Sequence, residues 1–108
     1  MADHGDLYIT SVADFEALKA GDKPLVIDFT ASWCPPCKRI GPIYEGHIPN
    51  FPELVMKKCD VDAASDVSQA VGIRCMPTFL VFKGGEETKR MEGASDEGLL
   101  ALLNEAKA

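Results

Sequence analysis

The chain has 108 residues, which suits one domain, and its 26% of charged residues is ordinary for a globular protein. Its formal net charge of −6 argues against nucleic acid and anionic membranes as main partners, because both attract positive charge. No apolar run approaches the ~20 residues of a membrane span, and residues 1–6 lack the basic and apolar parts of a signal peptide. We therefore expect one soluble, cytoplasmic domain over residues 1–108, with cysteines that are catalytic or free.

The first half of the chain alternates between strand-like and helix-like segments. Residues 7–10 predict a short first strand, and a helix follows from about residue 11 to Gly21. Residues 25–29 are apolar except for one acid and predict a buried central strand. A longer helix is expected from about Cys34 to about Gly46.

The second half predicts three more strands and two more helices. In chain order they are a strand at 54–61, a helix at 65–71, a hairpin of strands at 78–82 and 87–91, and a helix capped by Ser95. The order βαβαβαββα indicates an α/β fold, with a central mixed five-stranded sheet flanked by four helices. Because helices separate most of the strands, we expect a largely parallel centre with an antiparallel hairpin at one edge.

Two cysteines with two residues between them, Cys34 and Cys37, lie in the segment WCPPCK where a strand meets a predicted helix start. This spacing at a helix start brings both sulfurs within disulfide reach. Cys34 would lie near unpaired backbone N–H groups and the positive end of the helix dipole, which favours its thiolate. Cys37, one turn into the helix, is expected to be buried. Thiolate Cys34 would attack a substrate disulfide, and Cys37 would then resolve the mixed disulfide.

The same cysteine pair is also compatible with half of a zinc site. Zinc usually takes a second cysteine pair or a histidine pair at set spacing. Cys59 and Cys75 are isolated in the sequence, and His4 and His47 do not form a pair. We therefore expect no bound metal.

Several segments around the cysteines share one family pattern. They are residues 26–38 (VIDFTASWCPPCK), 60–62 (DVD) and 76–79 (MPTF), followed by Gly84 and by Gly93 with Ala94. In order and spacing they resemble the thioredoxin family along nearly the whole chain, in the manner of its eukaryotic cytosolic and plant h-type members. The resemblance implies the thioredoxin fold and a protein-disulfide reductase that is recharged by a thioredoxin reductase. Pro35 departs from the commoner glycine, which leaves the reduction potential open.

The resemblance also implies a role for each matching residue. Cys34 would be the nucleophile and Cys37 the resolving cysteine, while Asp28 would be the buried acid–base group with Lys58 close to it. Pro77 would be a cis-proline that faces the disulfide. A groove for the substrate chain would be lined by Trp33, Val61, Met76, Gly93 and Ala94.

Asp28, Cys59 and Cys75 each also have an ordinary structural interpretation. A carboxyl group in an apolar strand is costly to bury, so a functional role for Asp28 is favoured over that of a core acid. Cys59 is expected to be a small buried hydrophobe. Cys75 precedes the predicted groove and is a regulatory candidate, with a redox side role and an inert thiol both open.

The implied partners are proteins rather than cofactors. They are a thioredoxin reductase, dependent on NADPH or on ferredoxin, and disulfide-containing substrates such as peroxiredoxins and methionine sulfoxide reductases. No cofactor is expected beyond a redox-active Cys34–Cys37 disulfide. Two other functions remain as alternatives. A secretory oxidase or isomerase would need a signal peptide and typically a histidine between the cysteines, and a binding module without turnover would not need the dithiol.

Overall fold

A mixed sheet with helices on both faces forms the core of the structure, a computed structural model in which residues 7–108 are described. The strands are β1 Leu25–Thr30, β2 Val55–Asp60, β3 Thr78–Lys83 and β4 Glu86–Glu92. The helices are α1 Val12–Lys19, α2 Pro35–His47, α3 Ser65–Val71 and α4 Asp96–Lys107, with a 3₁₀ turn at Ile48–Asn50. Within the described range, no helix combines the length and the apolar character needed to cross a membrane.

The α/β fold with four helices is confirmed, but the predicted fifth strand is wrong for the described residues. Residues 7–10 contribute only an isolated parallel bridge from Tyr8 to Lys58, and the Ile9 N–H donates to the Lys58 carbonyl at 2.8 Å. Ser11 then caps α1, so the chain enters the helix before residues 7–10 can form a full strand pairing with β2. The sheet described here therefore has the strand order β2-β1-β3-β4.

The expectation of a largely parallel centre is also wrong. β1 pairs with β2 in parallel, but β3 runs antiparallel to both β1 and β4. The connection between β2 and β3 contains only α3, whose 7 residues span about 10 Å, whereas a 6-residue strand spans about 20 Å. The chain therefore enters β3 at the end of the sheet where β2 stopped, and Thr78 pairs with Phe29 near the end of β1.

Alternation along the strands divides the core into two faces. One face packs against α2 and α4 and includes Val26, Met56, Phe79, Val81, Ile40, Tyr44, Leu99 and Leu103. The other packs against α1 and α3 and includes Ile27, Phe29, Cys59, Leu80, Phe15 and Val67. Because side chains repeat a face every second residue, Asp28 follows Val26, and Lys58 follows Met56, onto the face that α2 covers.

Local signals fix where the helices and the hairpin begin and end. Ser11 Oγ accepts from the Asp14 N–H at 3.1 Å, and Ser95 Oγ accepts from the Gly98 N–H at 3.0 Å. Gly84 and Gly85 both have positive φ, at 62° and 83°, as a tight β3–β4 turn requires. These elements begin close to where the sequence predicts them, since caps and turns depend on neighbouring residues.

The buried face of α4 can be tested with two leucines on the same helix. Leu103 is fully buried, whereas Leu100 is 43% exposed. We expect Leu103→Ala to lower the free energy of unfolding by about 2–5 kcal/mol, because it leaves a cavity in the core. Leu100→Ala should cost less than about 1 kcal/mol. Urea unfolding of the oxidised protein measures both, and equal losses would contradict this packing of α4.

Candidate active site

The two motif cysteines occupy the first turn of α2. Cys34 is the N-cap residue, Cys37 lies in the first turn, and the two are joined as a disulfide with their Cα atoms 5.2 Å apart. Both side chains are buried, with 5% of Cys34 and 3% of Cys37 exposed. The pairing predicted from their spacing is confirmed.

The start of α2 directs a backbone donor at the Cys34 sulfur. The Cys37 N–H donates to Cys34 Sγ across 3.3 Å. Pro35 and Pro36 fill the first two helical positions and have no N–H, so Cys37 supplies the first N–H donor of the helix. This donor and the positive end of the helix dipole both favour a negative charge on Cys34 Sγ after reduction.

An apolar surface surrounds the disulfide. Val61 and Met76 pack against the buried cluster formed by Ala31, Cys34 and Cys37. Cys34 Sγ lies 3.7 Å from the Met76 carbonyl oxygen, and the Met76–Pro77 peptide bond is cis. The structure thus brings two of the predicted groove residues beside the reactive sulfurs, and the peptide bond that precedes Pro77 is cis.

Two more of the predicted groove residues, Gly93 and Ala94, lie on a loop that is tied to this surface. The Gly93 N–H donates to the Pro77 carbonyl at 2.9 Å, and Gly93 has a φ of 107°, which side-chain-bearing residues rarely adopt. Arg39 Nη2 donates to the Ala94 carbonyl at 2.6 Å, and its Nη1 donates to Asp96 Oδ1 at 2.8 Å. Arg39 therefore holds the loop at Gly93 and Ala94 against α2, a contact that the sequence did not reveal.

Trp33 projects from the rim of this surface. It is 61% exposed, and its indole Nε1 donates to Asp62 Oδ2 at 2.7 Å. Asp62 follows β2 and is 29 positions away in sequence. The acceptor fixes the orientation of an exposed aromatic ring beside the disulfide, and it was not among the predicted site residues.

Asp28 lies beneath the site on β1. It is 1% exposed, and neither carboxyl oxygen has a hydrogen-bond partner within residues 7–108. Burial raises the pKa of Asp28 from its ordinary value of 3.8 to about 7, while the Lys58 ammonium lowers it and the Glu45 carboxylate raises it. The carboxyl can therefore gain and lose a proton near neutral pH.

Lys58 is the register partner of Asp28 in the parallel β1–β2 ladder. Its ammonium, however, donates to Glu45 Oε2 at 2.8 Å. Burial lowers the pKa of Lys58, but the hydrogen bond with Glu45 and the charge of Asp28 outweigh burial and raise it overall. Glu45 was not predicted as a site residue.

A surface cavity of about 290 Å³ opens beside Cys37. Its lining includes Tyr8, Cys37, Gly41, Glu45, Lys58 and Asp60. Cys37, Gly41 and Glu45 are four residues apart along α2 and share one helix face, which was the sequence signal for Glu45. The cavity opens this part of the site to solvent, and Trp33 is not among its lining residues.

The remaining two cysteines are unpaired. Cys59 is buried, and burial, with smaller contributions from Asp60 and Asp66, raises the pKa of its thiol to about 12, as suits a small buried hydrophobe. Cys75 is exposed, with its Sγ 3.8 Å from Thr78 Oγ1. In residues 7–108, no three His, Cys, Asp or Glu side chains are arranged to hold a metal ion, and His4 lies outside that range.

Comparison with known proteins agrees with this geometry. The thioredoxin family model matches residues 7–105. A thioredoxin of Ictalurus punctatus is 46% identical over 94 residues, which cover 84% of this chain and 88% of that relative. The solved thioredoxin of Malassezia sympodialis has a TM-score of 0.89 at 42% identity, over 94% of this chain and 90% of that one.

A further solved chain comes from structural work on the thiol resolving mechanism in yeast mitochondrial 1-Cys peroxiredoxin via glutathione/thioredoxin systems. It has a TM-score of 0.86 at 32% identity and covers 91% of this chain and 92% of that one. These similarities span most of each chain and agree with a disulfide at a helix start. This chain belongs to the thioredoxin family and is a dithiol–disulfide oxidoreductase whose redox-active group is the Cys34–Cys37 disulfide.

Proposed function

We propose that this chain carries electrons from a thioredoxin reductase to disulfides in cytoplasmic proteins. The observation that carries the proposal is the Cys34–Cys37 disulfide at the N-terminus of α2, with the Cys37 N–H aimed at Cys34 Sγ. Thiol exchange needs a stabilised thiolate and a second thiol close enough to resolve the intermediate. Both requirements are met in one helical turn.

In the first step, the reduced Cys34 thiolate attacks one sulfur of a substrate disulfide. A bond forms between Cys34 Sγ and that sulfur, the substrate S–S bond breaks, and the released thiolate takes a proton from solvent. The N–H donor of Cys37 and the dipole of the 13-residue α2 favour the thiolate of Cys34 over its thiol. Cys34 is therefore assigned as the nucleophile.

In the second step, Asp28 takes the proton of Cys37. The Cys37 thiolate then attacks Cys34 Sγ, the mixed disulfide breaks, and the second substrate thiolate leaves while the Cys34–Cys37 disulfide forms. Support comes from the position of Asp28 on the face covered by α2 and from its pKa of about 7. Lys58 is assigned a supporting electrostatic role, because its ammonium offsets part of the effect of burial and so allows Asp28 to ionise near neutral pH.

The substrate chain is assigned to the apolar surface around the disulfide. Its proposed residues are Trp33, Val61, Met76, Gly93 and Ala94, and the cis-proline Pro77 is assigned to the same surface. Trp33 offers a large exposed ring, and the Met76 carbonyl lies beside Cys34 Sγ, where a substrate backbone can pair with it.

The proposed partners are a thioredoxin reductase, dependent on NADPH or ferredoxin, and substrates such as peroxiredoxins and methionine sulfoxide reductases. The similarity to a chain from the yeast peroxiredoxin structure supports the peroxiredoxin class. A single domain over residues 1–108 is supported by the family match to residues 7–105. Unpaired Cys59 and Cys75 support a reducing, cytoplasmic location. A regulatory role for Cys75 stays a prediction.

Trapping tests the assignment of the two cysteines. We expect Cys37→Ser to accumulate mixed disulfides with target proteins, because Cys34 can attack but nothing resolves the product. Cys34→Ser, the matched control, should trap almost none. Non-reducing gels followed by mass spectrometry measure the adducts, and insulin reduction should be lost in both variants. Efficient trapping by Cys34→Ser alone would reverse the assignment.

Alkylation of the reduced protein tests the state of Cys34. We expect iodoacetamide near pH 7 to label Cys34 fastest, because the helix start favours its thiolate. Buried Cys59 should stay unlabelled, since its pKa is raised to about 12. Mass mapping at short times measures each site, and Cys75→Ser removes the exposed competing thiol. Faster labelling of Cys37 than of Cys34 would contradict the proposed roles.

Asp28→Asn separates stability from catalysis. The pKa of Asp28 is about 7 in the fold and 3.8 ordinarily, so the unfolded chain releases the proton first as pH rises. The wild type therefore loses stability between about pH 4 and pH 7, in an amount of roughly 4 kcal/mol for the full shift. We expect the variant to be more stable than wild type at pH 8, with a gain that shrinks toward pH 4.

The same variant should resolve mixed disulfides more slowly, because Cys37 loses its proton without a nearby base. We expect a slowing of roughly 10²-fold or less at pH 8 in single-turnover decay. Urea unfolding at pH 4 and pH 8 measures the stability. A less stable variant at pH 8 would show that Asp28 is held by a strong ion pair, and unchanged decay would remove its role as base.

A further inference from the structure

Two carboxyl groups lie within reach of a single buried ammonium group beneath the active site. Asp28 on β1 is the register partner of Lys58 on β2, and both side chains lie on the sheet face covered by α2. Glu45 on α2 faces the same lysine and holds its Nζ at 2.8 Å. Asp28 is left without a protein hydrogen-bond partner in the described range. The Lys58 ammonium is therefore hydrogen-bonded to Glu45 and not to Asp28.

We propose that Glu45 is a positioning residue for the resolving step: it holds the Lys58 ammonium and thereby leaves the Asp28 carboxyl free to accept the Cys37 proton. The inference rests on the proposed function, because it assumes that Asp28 is the base for Cys37. Glu45 does not touch the sulfurs. It acts mainly by holding Lys58, and its own charge makes a smaller, direct contribution to the pKa of Asp28.

The shape of α2 supports this arrangement. Gly41 is buried one turn from both Cys37 and Glu45, in the middle of the helix. A Cβ built at Gly41 would lie 3.4 Å from Lys58 Nζ, so a side chain there would contact the ammonium directly. Glycine inside a helix costs roughly 0.5–1 kcal/mol relative to alanine. At this position the Lys58 ammonium lies close to the α2 backbone, on the same helix face as Glu45.

The charges around Asp28 act in the direction that the proposal needs. Lys58 from β2 lowers the pKa of Asp28, and Glu45 from α2 raises it. Tyr44, also on α2, stays a neutral phenol, because burial and the charge of Asp28 raise its pKa well above the ordinary value. β3 presents the apolar Phe79 opposite Asp28. Removal of the Glu45 charge therefore favours an ionised, weaker base at Asp28.

Lys58 has one further neighbour, from the segment that precedes α1. Its Nζ lies 5.6 Å from the centre of the Tyr8 ring, and both residues line the cavity together with Cys37 and Glu45. The side chain of Glu45 is 44% exposed, while that of Lys58 is 7% exposed. The Glu45–Lys58 pair thus lies between the buried acid and the solvent that fills the cavity mouth.

In the resolving step, the proton moves from Cys37 Sγ to a carboxylate oxygen of Asp28, and Cys37 then attacks Cys34 Sγ. The substrate leaves as a thiolate, and the proton on Asp28 passes to solvent when the site resets. A carboxylate that was paired with Lys58 would accept the proton less readily, because the ammonium stabilises its ionised form. Glu45 therefore keeps Asp28 a stronger base.

The test uses Glu45→Gln, which keeps the size of the side chain and removes its charge. Glu105→Gln is the matched control, since Glu105 forms an exposed ion pair with Lys89 far from the disulfide. Single-turnover decay of a mixed disulfide is measured from pH 5 to pH 9. We expect Glu45→Gln to move the midpoint of the pH profile down by about half a pH unit or more, and to slow decay at pH 8 about threefold.

Two further variants make the outcomes distinct. In a Lys58→Met background, Glu45→Gln should lose most of its effect, because no ammonium remains to be redirected. If Asp28→Asn slows decay but Glu45→Gln gives the profile of the Glu105→Gln control, the role of Glu45 is overturned and the proposed function stands. If Asp28→Asn leaves decay unchanged, the base assignment itself fails, and the role of Glu45 falls with it.

Discussion

The start of α2 is the constraint on which the rest of the site depends. Cys34 caps the helix with its own sulfur, so the reactive atom and the helix N-terminus are fixed to each other by the Cys37 N–H. Every other contribution is arranged around this point. Val61 and Met76 pack on the sulfurs from the groove side, while Asp28 lies on the strand face beneath the same helix.

Local sequence signals predicted the features that depend on near neighbours. The two-residue spacing of Cys34 and Cys37 predicted a disulfide at a helix start, and an acid in an apolar strand marked Asp28. The strand-like segments at 78–82 and 87–91 predicted a hairpin, and its turn is at Gly84 and Gly85. The antiparallel direction of β3 was not predictable in this way, because it depends on where a short connection returns the chain to the sheet.

The contacts that refine the site were missed for a related reason. Trp33 with Asp62, Arg39 with Ala94 and Lys58 with Glu45 join positions far apart in sequence, and each needs the assembled fold to bring its partners together. Charged residues on a helix are also commonly solvated, so an isolated Glu or Arg carries little positional information. Only the spacing of four along α2 pointed toward Glu45, and it gained meaning once Lys58 was placed opposite it.

The position of Cys59 has a consequence for redox selectivity. Its side chain belongs to the sheet face packed by α1 and α3, whereas Cys34 and Cys37 belong to a separate cluster at the start of α2. The hydrogen-bonded sheet lies between the Cys59 thiol and the pair Cys34 and Cys37. The raised pKa of Cys59 keeps its thiol protonated. Disulfide scrambling through Cys59 would require the sheet to open. Cys59 is therefore kept out of exchange with Cys34 and Cys37, although it is a thiol of the same small domain.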